Sequence, residues 1–98
     1  MQQVYINVSE LEPPEPMTEI LMALAQLLPD QYLKVLHRRE PFPLYEKLAQ
    51  AGWAYQCQSI NENQFNIYIY RNTESDKFNQ QLSQHLSLKQ SQQHSDLL

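Results

Sequence analysis

The chain has 98 residues, 42% hydrophobic and 18% charged, with a formal net charge of −4. This length suits one domain, and the hydrophobic content argues against a fully disordered chain. The acidic balance argues against non-specific binding to nucleic acid or anionic lipid, which depends on clustered Lys and Arg. No apolar run approaches the roughly 20 residues of a membrane span. The N-terminus lacks a basic and apolar leader, so we expect a cytoplasmic protein.

Hydrophobic periodicity predicts four strands and two helices. In chain order these are a strand over 4–8, a helix that starts among prolines 13–16 and runs to 28, a strand over 32–37, a helix over 44–51, and strands over 53–59 and 65–70. The only glycine, Gly52, follows the second helix, where a left-handed residue is preferred. Residues 60–63 have turn composition and predict an antiparallel hairpin with a loop of about four residues.

This order of elements predicts an α+β fold. A helical crossover between the first two strands makes them parallel, and two helices are too few to cover both faces of four strands. We therefore expect a two-layer sandwich in which a mixed four-stranded sheet carries both helices on one face. Residues 1–71 would form this domain, and 72–98 a polar tail. Phe78, Leu82 and Leu86 recur every four residues in the tail, which predicts an amphipathic helix over about 76–90.

The segment from Leu11 to Pro16 resembles the TusA/SirA family of small sulfur carriers. That family begins its first helix with Cys-Pro-x-Pro, preceded by Leu and one further residue. Here Leu11, Pro14 and Pro16 match, and Glu15 fills the variable place. Pro13 occupies the position of the family's sulfur-carrying cysteine. The resemblance, which covers roughly 3–71, implies the fold but not the persulfide chemistry.

The segment from His37 to Leu44, His-Arg-Arg-Glu-Pro-Phe-Pro-Leu, is similar to the signature of a cysteine-less branch of TusA-like domains. That branch is classed as a domain of unknown function. Its members occur alone or fused to other modules, including hemerythrin-like ones. The resemblance implies a role in redox, sulfur or nitrogen-oxide metabolism.

Two loops that follow the parallel strands form the first candidate site. They lie at the same sheet edge, where ligands favour the carboxyl ends of strands. The site would dock a protein partner or bind a small anion, because cationic side chains lie beside a helix N-terminus. In the alternative, Arg38 and Arg39 pair with Glu10, Glu12, Glu15 or Glu40 and only join the loops. The candidate contact residues are Glu15, Pro16, His37, Arg38, Arg39, Glu40, Pro41, Phe42 and Pro43.

Two further residues carry weaker hypotheses. A lone His37 at a strand end has no partner at metal-ligand spacing, so we expect neither a metal site nor a cofactor. Cys57 is the only cysteine, which excludes an internal disulfide. It is expected to be a small buried residue. Sulfur transfer by Cys57 is the alternative function and requires an exposed thiol with a lowered pKa.

The outer face of the sheet is predicted to be aromatic. An exposed aromatic patch marks a contact surface, here for a second copy of the chain or for its own tail. Single-stranded nucleic acid is disfavoured because Lys34 is the only cation on this face. By alternation the face shows Tyr5, Asn7, Tyr32, Lys34, Leu36, Gln56, Gln58, Tyr68 and Tyr70.

The sequence offers no constellation typical of an enzyme. It has no phosphate-binding loop, no nucleophile paired with a base and no paired carboxylates at an identifiable cleft. The leading hypothesis is therefore a non-enzymatic binding or adaptor module.

Overall fold

The computed structural model describes residues 1–83. Its elements follow the predicted order, with a short 3-10 turn (Asn72–Glu74) after the last strand and helical residues at 75–83, termed the third helical segment. The strands and the first two helices are β1 (Gln2–Asn7), α1 (Glu15–Gln26), β2 (Gln31–His37), α2 (Phe42–Gln50), β3 (Trp53–Asn61) and β4 (Gln64–Arg71). Within residues 1–83, no helix is long and apolar enough to cross a bilayer.

The four strands form one mixed sheet in the order β1-β2-β4-β3. β1 and β2 are parallel, with Val4 beside Leu33, and β3 and β4 form the antiparallel hairpin. β4 lies between β2 and β3 and pairs antiparallel with β2. The predicted α+β sandwich with its mixed sheet is confirmed.

Both helices pack on one face of this sheet and close the larger of its two apolar clusters. Ile20 and Leu24 of α1 and Leu44 and Leu48 of α2 are at most 4% exposed. They share a cluster with the inward-facing residues of the two central strands. Those strand residues are Leu33, Val35, Ile67 and Ile69, all fully buried. Periodicity therefore assigned the inner face correctly.

Prolines and the single glycine set the helix boundaries. Each helix has a proline within its first two positions, Pro16 in α1 and Pro43 in α2, where the missing N–H costs no helical hydrogen bond. α2 begins at Phe42, two residues before the predicted start, because the Pro41 carbonyl already accepts the Leu44 N–H at 3.0 Å. Gly52 follows α2 with φ +86°, the left-handed conformation that favours glycine.

The β3–β4 hairpin is tighter than the predicted loop of about four residues. Strand pairing continues to Asn61 and Gln64, so only Glu62 and Asn63 form the turn. The side chain of Asn61 closes the turn by accepting the Asn63 N–H at 2.8 Å. The register shift between Ser59 and Asn61 makes Ile60 the extra residue of a bulge. The predicted four-residue loop was wrong, because the composition of residues 60–63 does not distinguish a long loop from a bulge followed by a two-residue turn.

The third helical segment lies on the outer face of the sheet. Phe78 is 3% exposed there. Its ring stacks on Tyr70 with centroids 4.2 Å apart and meets the edge of Tyr32 at 5.1 Å. The helix predicted over 76–90 overlaps this segment up to 83, and its remainder lies outside the described residues.

Polar contacts fasten the end of β4, the 3-10 turn and the third helical segment to the residues that follow α1. Arg71 donates to the carbonyls of Leu27 at 2.6 Å and Leu28 at 2.9 Å. The Glu74 carboxylate accepts the Asp30 N–H at 2.8 Å, and the Lys77 ammonium contacts the Asp30 carboxylate at 2.7 Å. Arg71 also lies over the Trp53 ring, 5.0 Å from its centroid. The segment therefore has a fixed register on the sheet.

Candidate functional site

The loops after β1 and β2 meet at one sheet edge, as the parallel pairing requires. The Val8 N–H donates to the Leu36 carbonyl at 2.9 Å, which extends the pairing past the end of β1. Beyond this point an ion pair joins Arg38 Nη2 to Glu12 Oε2 at 3.2 Å. We term the surface formed by residues 10–16 and 37–43 the docking surface.

The two arginines of the docking surface differ in their surroundings. Arg38 pairs with Glu12, but the two side chains are 34% and 80% exposed, so the pair contributes little to stability. Arg39 is exposed and has no carboxylate within ion-pair distance in residues 1–83. In the alternative interpretation both arginines only join the two loops. The ion pairs support this interpretation for Arg38 but not for Arg39.

The prolines of the docking surface divide into buried and exposed residues. Pro16 is buried where α1 meets the core, so it positions the loop and offers no contact surface, unlike the exposed Glu15. Pro13 and Pro14, joined by a cis peptide bond, are exposed, and so is Pro43. Pro41 is half-buried before α2.

Phe42 is the most exposed large hydrophobic residue among those described, at 65%. Its ring meets the edge of Tyr45 at 5.9 Å, with an angle of 85° between the planes. Tyr45 in turn stacks on Tyr55 of β3, with centroids 3.8 Å apart. The three rings form a row from the docking surface along α2, and Phe42 is its outer end.

An open groove of about 860 Å³ runs across the docking surface. Arg38, Arg39, Glu40 and Phe42 line one side. Glu62 and Asn63 of the β3–β4 turn line the other, together with Phe65 of β4. No sequence motif indicated that this turn contributes to the groove; the pairing of His37 with Phe65 across β2 and β4 brings it there.

His37 shapes the loop from within. Its ring is half-buried, and its Nδ1 accepts the Arg39 N–H at 3.1 Å. Burial lowers the pKa of His37, and the positive charges of Arg38 and Arg39 lower it further. No cluster of three or more His, Cys, Asp or Glu residues suited to a metal occurs in the described part of the chain. His37 is therefore a neutral hydrogen-bond acceptor in this fold.

We predict that the free energy of unfolding decreases as the pH falls from about 7 towards 5. The unfolded chain protonates His37 near its ordinary pKa of 6.5, whereas the folded chain does so only at lower pH. The unfolded state thus binds more protons in this window, and the contribution of His37, complete above the unfolded pKa, is lost below it. Denaturant unfolding at several pH values measures the slope.

His37→Gln retains an acceptor for the Arg39 N–H but does not titrate, so it should flatten that slope. His85 and His94 are present in both chains and cancel in the comparison. An unchanged slope in the variant would contradict the assignment.

Cys57 lies on the inner face of β3, half-buried beside α2. Burial raises the pKa of its thiol; the adjacent Tyr45 hydroxyl opposes this, and the Glu40 carboxylate adds to it. The Tyr45 hydroxyl donates to Glu40 Oε2 at 3.0 Å, and burial raises its own pKa as well. A raised thiol pKa is opposite to what a sulfur-transfer nucleophile needs.

Native Cys57 is expected to react with iodoacetamide at pH 8 at least about tenfold more slowly than the denatured chain, because its thiol is both shielded and protonated. Mass spectrometry of timed samples measures the rate. Denatured protein serves as the control for reagent activity. Equal rates in the two states would show a reactive thiol and would favour the sulfur-transfer alternative.

Comparison with known proteins identifies a family and no further relative. Residues 5–71 match the family model described as uncharacterized conserved protein (DUF2249). The comparisons with curated proteins and with solved structures gave no match. The matched region contains both helices, the end of β1, the other three strands and the docking surface, and it covers more than half of the sequence. The chain therefore belongs to the DUF2249 family of uncharacterized conserved proteins.

Proposed function

We propose that this protein is a small, non-enzymatic cytoplasmic adaptor of TusA-like fold that binds a protein partner through the docking surface. Its pathway would be redox- or sulfur-related, as the resemblance of residues 11–16 and 37–44 to TusA-like domains implies. The adaptor would not carry persulfide at the family's usual position, because Pro13 has no sulfur.

The observation that carries the proposal is the exposure of Phe42 beside Arg39. Aromatic residues, phenylalanine among them, and arginine are enriched at protein interfaces. Phe42 is the first residue of α2 and Arg39 lies in the loop just before it, and the burial of Leu44 fixes the position of this helix start. A partner that covers Phe42 would gain apolar contact without requiring the loop to reorganise.

The groove beside Phe42 supports a peptide or protein surface as the partner. It is open and carries both charges, with Arg39 on one side and Glu62 on the other. Such a surface offers many weak polar contacts around one aromatic residue, which is the arrangement of a protein interface rim and core.

A small anion is the second candidate ligand, because Arg39 lies just before the N-terminus of α2 and lacks a carboxylate partner in residues 1–83. Sulfur transfer through Cys57 has less support, since burial raises the pKa of that thiol.

The partner can be identified by replacing Phe42 with a photo-crosslinking phenylalanine analogue in the source cell. The affinity of the identified partner for the purified full chain is then measured by calorimetry. We expect Arg38→Gln/Arg39→Gln and Phe42→Ser each to weaken binding by at least about tenfold, the loss of one interface hot spot. Both variants should unfold within about 0.5 kcal/mol of the wild type, because the substituted residues are at the surface.

Met22→Ser is the matched control for Phe42→Ser, since Met22 is 54% exposed on α1. It should bind the partner like the wild type. Undiminished binding by the arginine and Phe42 variants would refute the proposal. Titration with inorganic phosphate separates the second candidate: saturable binding lost only in the arginine variant would favour an anion site.

A further inference from the structure

A second concave site lies on the outer face of the sheet, away from the docking surface. It is a cavity of about 360 Å³ between the sheet and the third helical segment. Three aromatic rings line it, those of Tyr32, Tyr68 and Phe78, together with Leu82. This volume is near the lower end of the range of about 300–1,000 Å³ for small-molecule pockets.

The walls of this cavity are fixed before any ligand binds. The Tyr32 hydroxyl donates to Gln3 Oε1 at 2.9 Å, which holds its ring in place. Phe78 meets Tyr32 at 5.1 Å and Tyr68 at 6.0 Å, so each ring restrains the next. A preformed apolar site loses little conformational freedom on binding, which favours affinity.

Lys34 supplies the only charge among the residues that line the cavity. Its Nζ lies 5.8 Å from the centroid of the Tyr68 ring, and its neighbours across the sheet are Tyr5 and Tyr68. No carboxylate within residues 1–83 pairs with Lys34. A cation that lines an aromatic cavity and has no acidic partner in residues 1–83 is suited to an anionic ligand.

We propose that this cavity binds a small planar aromatic anion, an aryl carboxylate of one or two rings. The carboxylate would lie at the Lys34 ammonium, and the ring would pack against Tyr68 and Phe78. The site is separate from the docking surface, because none of the residues that line the cavity belongs to residues 10–16 or 37–43.

The probe is 2-naphthoate, and its neutral counterpart 2-naphthamide has the same ring and nearly the same size. Two-dimensional amide NMR of the full-length chain follows both titrations. We expect saturable shifts for residues 32–34, 68 and 78–82, and naphthoate should bind at least about tenfold more tightly than naphthamide, as a charge-assisted contact requires.

Lys34→Met should remove this preference and leave the naphthamide affinity unchanged. Lys47→Met is the matched control, because it deletes the same charge from an exposed position on α2 and should bind naphthoate like the wild type. Equal affinity of the wild type for the two probes would overturn the proposal without recourse to any variant. Absence of shifts around the cavity, or an equal loss of naphthoate binding in both lysine variants, would also overturn it.

Discussion

Phe78→Ala is expected to lower the free energy of unfolding by about 3 kcal/mol, the scale for truncating a buried phenylalanine. The ring is 3% exposed and touches Tyr32, Tyr68 and Tyr70, so its removal opens a cavity against three aromatic side chains. Urea unfolding followed by circular dichroism and by tyrosine fluorescence measures the change.

Gln80→Ala is the matched control, because Gln80 is exposed on the same helical segment and alanine favours helix. Its stability should stay within about 0.5 kcal/mol of the wild type. If Phe78→Ala lost less than about 1 kcal/mol, the third helical segment would contribute little to the fold and the ring would be replaceable.

Arg71→Ala should cost about 2 kcal/mol, because hydrogen bonds to a charged donor are worth about 1.5–3 kcal/mol in net stability. The guanidinium serves two carbonyls at the end of α1 and lies over Trp53 at the same time. Its side chain is 29% exposed, so solvent screens these contacts only in part. Thermal and urea unfolding give the measurement.

Arg71→Lys is the sharper variant, since it keeps the charge but loses the planar fork. We expect it to recover less than half of the loss, because lysine cannot serve both carbonyls and stack on the indole together. Arg39→Ala is the control for deleting an arginine charge at an exposed position, and it should leave the free energy of unfolding unchanged. Full recovery by lysine would show that charge alone matters at this position.

The strands and helices could be predicted because each has one apolar face of clear period. Leu33 and Val35 alternate in β2, and Ile20 and Leu24 are one helical turn apart in α1, so burial follows directly from spacing. The position of Gly52 equally indicated where α2 ends, because a helix is often followed by a left-handed residue and glycine adopts that conformation without strain.

The docking surface was only partly accessible to sequence reasoning. The topology brought the two loops together, yet four carboxylates were candidates for the arginines, and spacing does not choose Glu12 among them. The burial of Pro16 and the exposure of Phe42 depend on how each helix is rotated about its axis. The stack of Tyr45 on Tyr55 depends on the register between α2 and β3.

Specific polar pairs between distant parts of the chain were beyond prediction. Arg71 binds carbonyls 43 and 44 positions earlier, and Asp30 contacts Lys77 across 47 positions. A surface arginine or aspartate gives the same sequence pattern whether or not it forms a contact with a distant residue. Only the three-dimensional path of the chain selects such pairs.

The position of Phe78 separates two boundaries that are usually treated as one. The family match ends at residue 71, whereas the aromatic outer face of the sheet is closed by a ring seven positions later. The unit of homology and the unit of folding therefore end at different residues. A chain cut after residue 71 would keep the whole matched region and yet present Tyr32 and Tyr70 to water, so we expect a well-folded fragment to need the third helical segment as well.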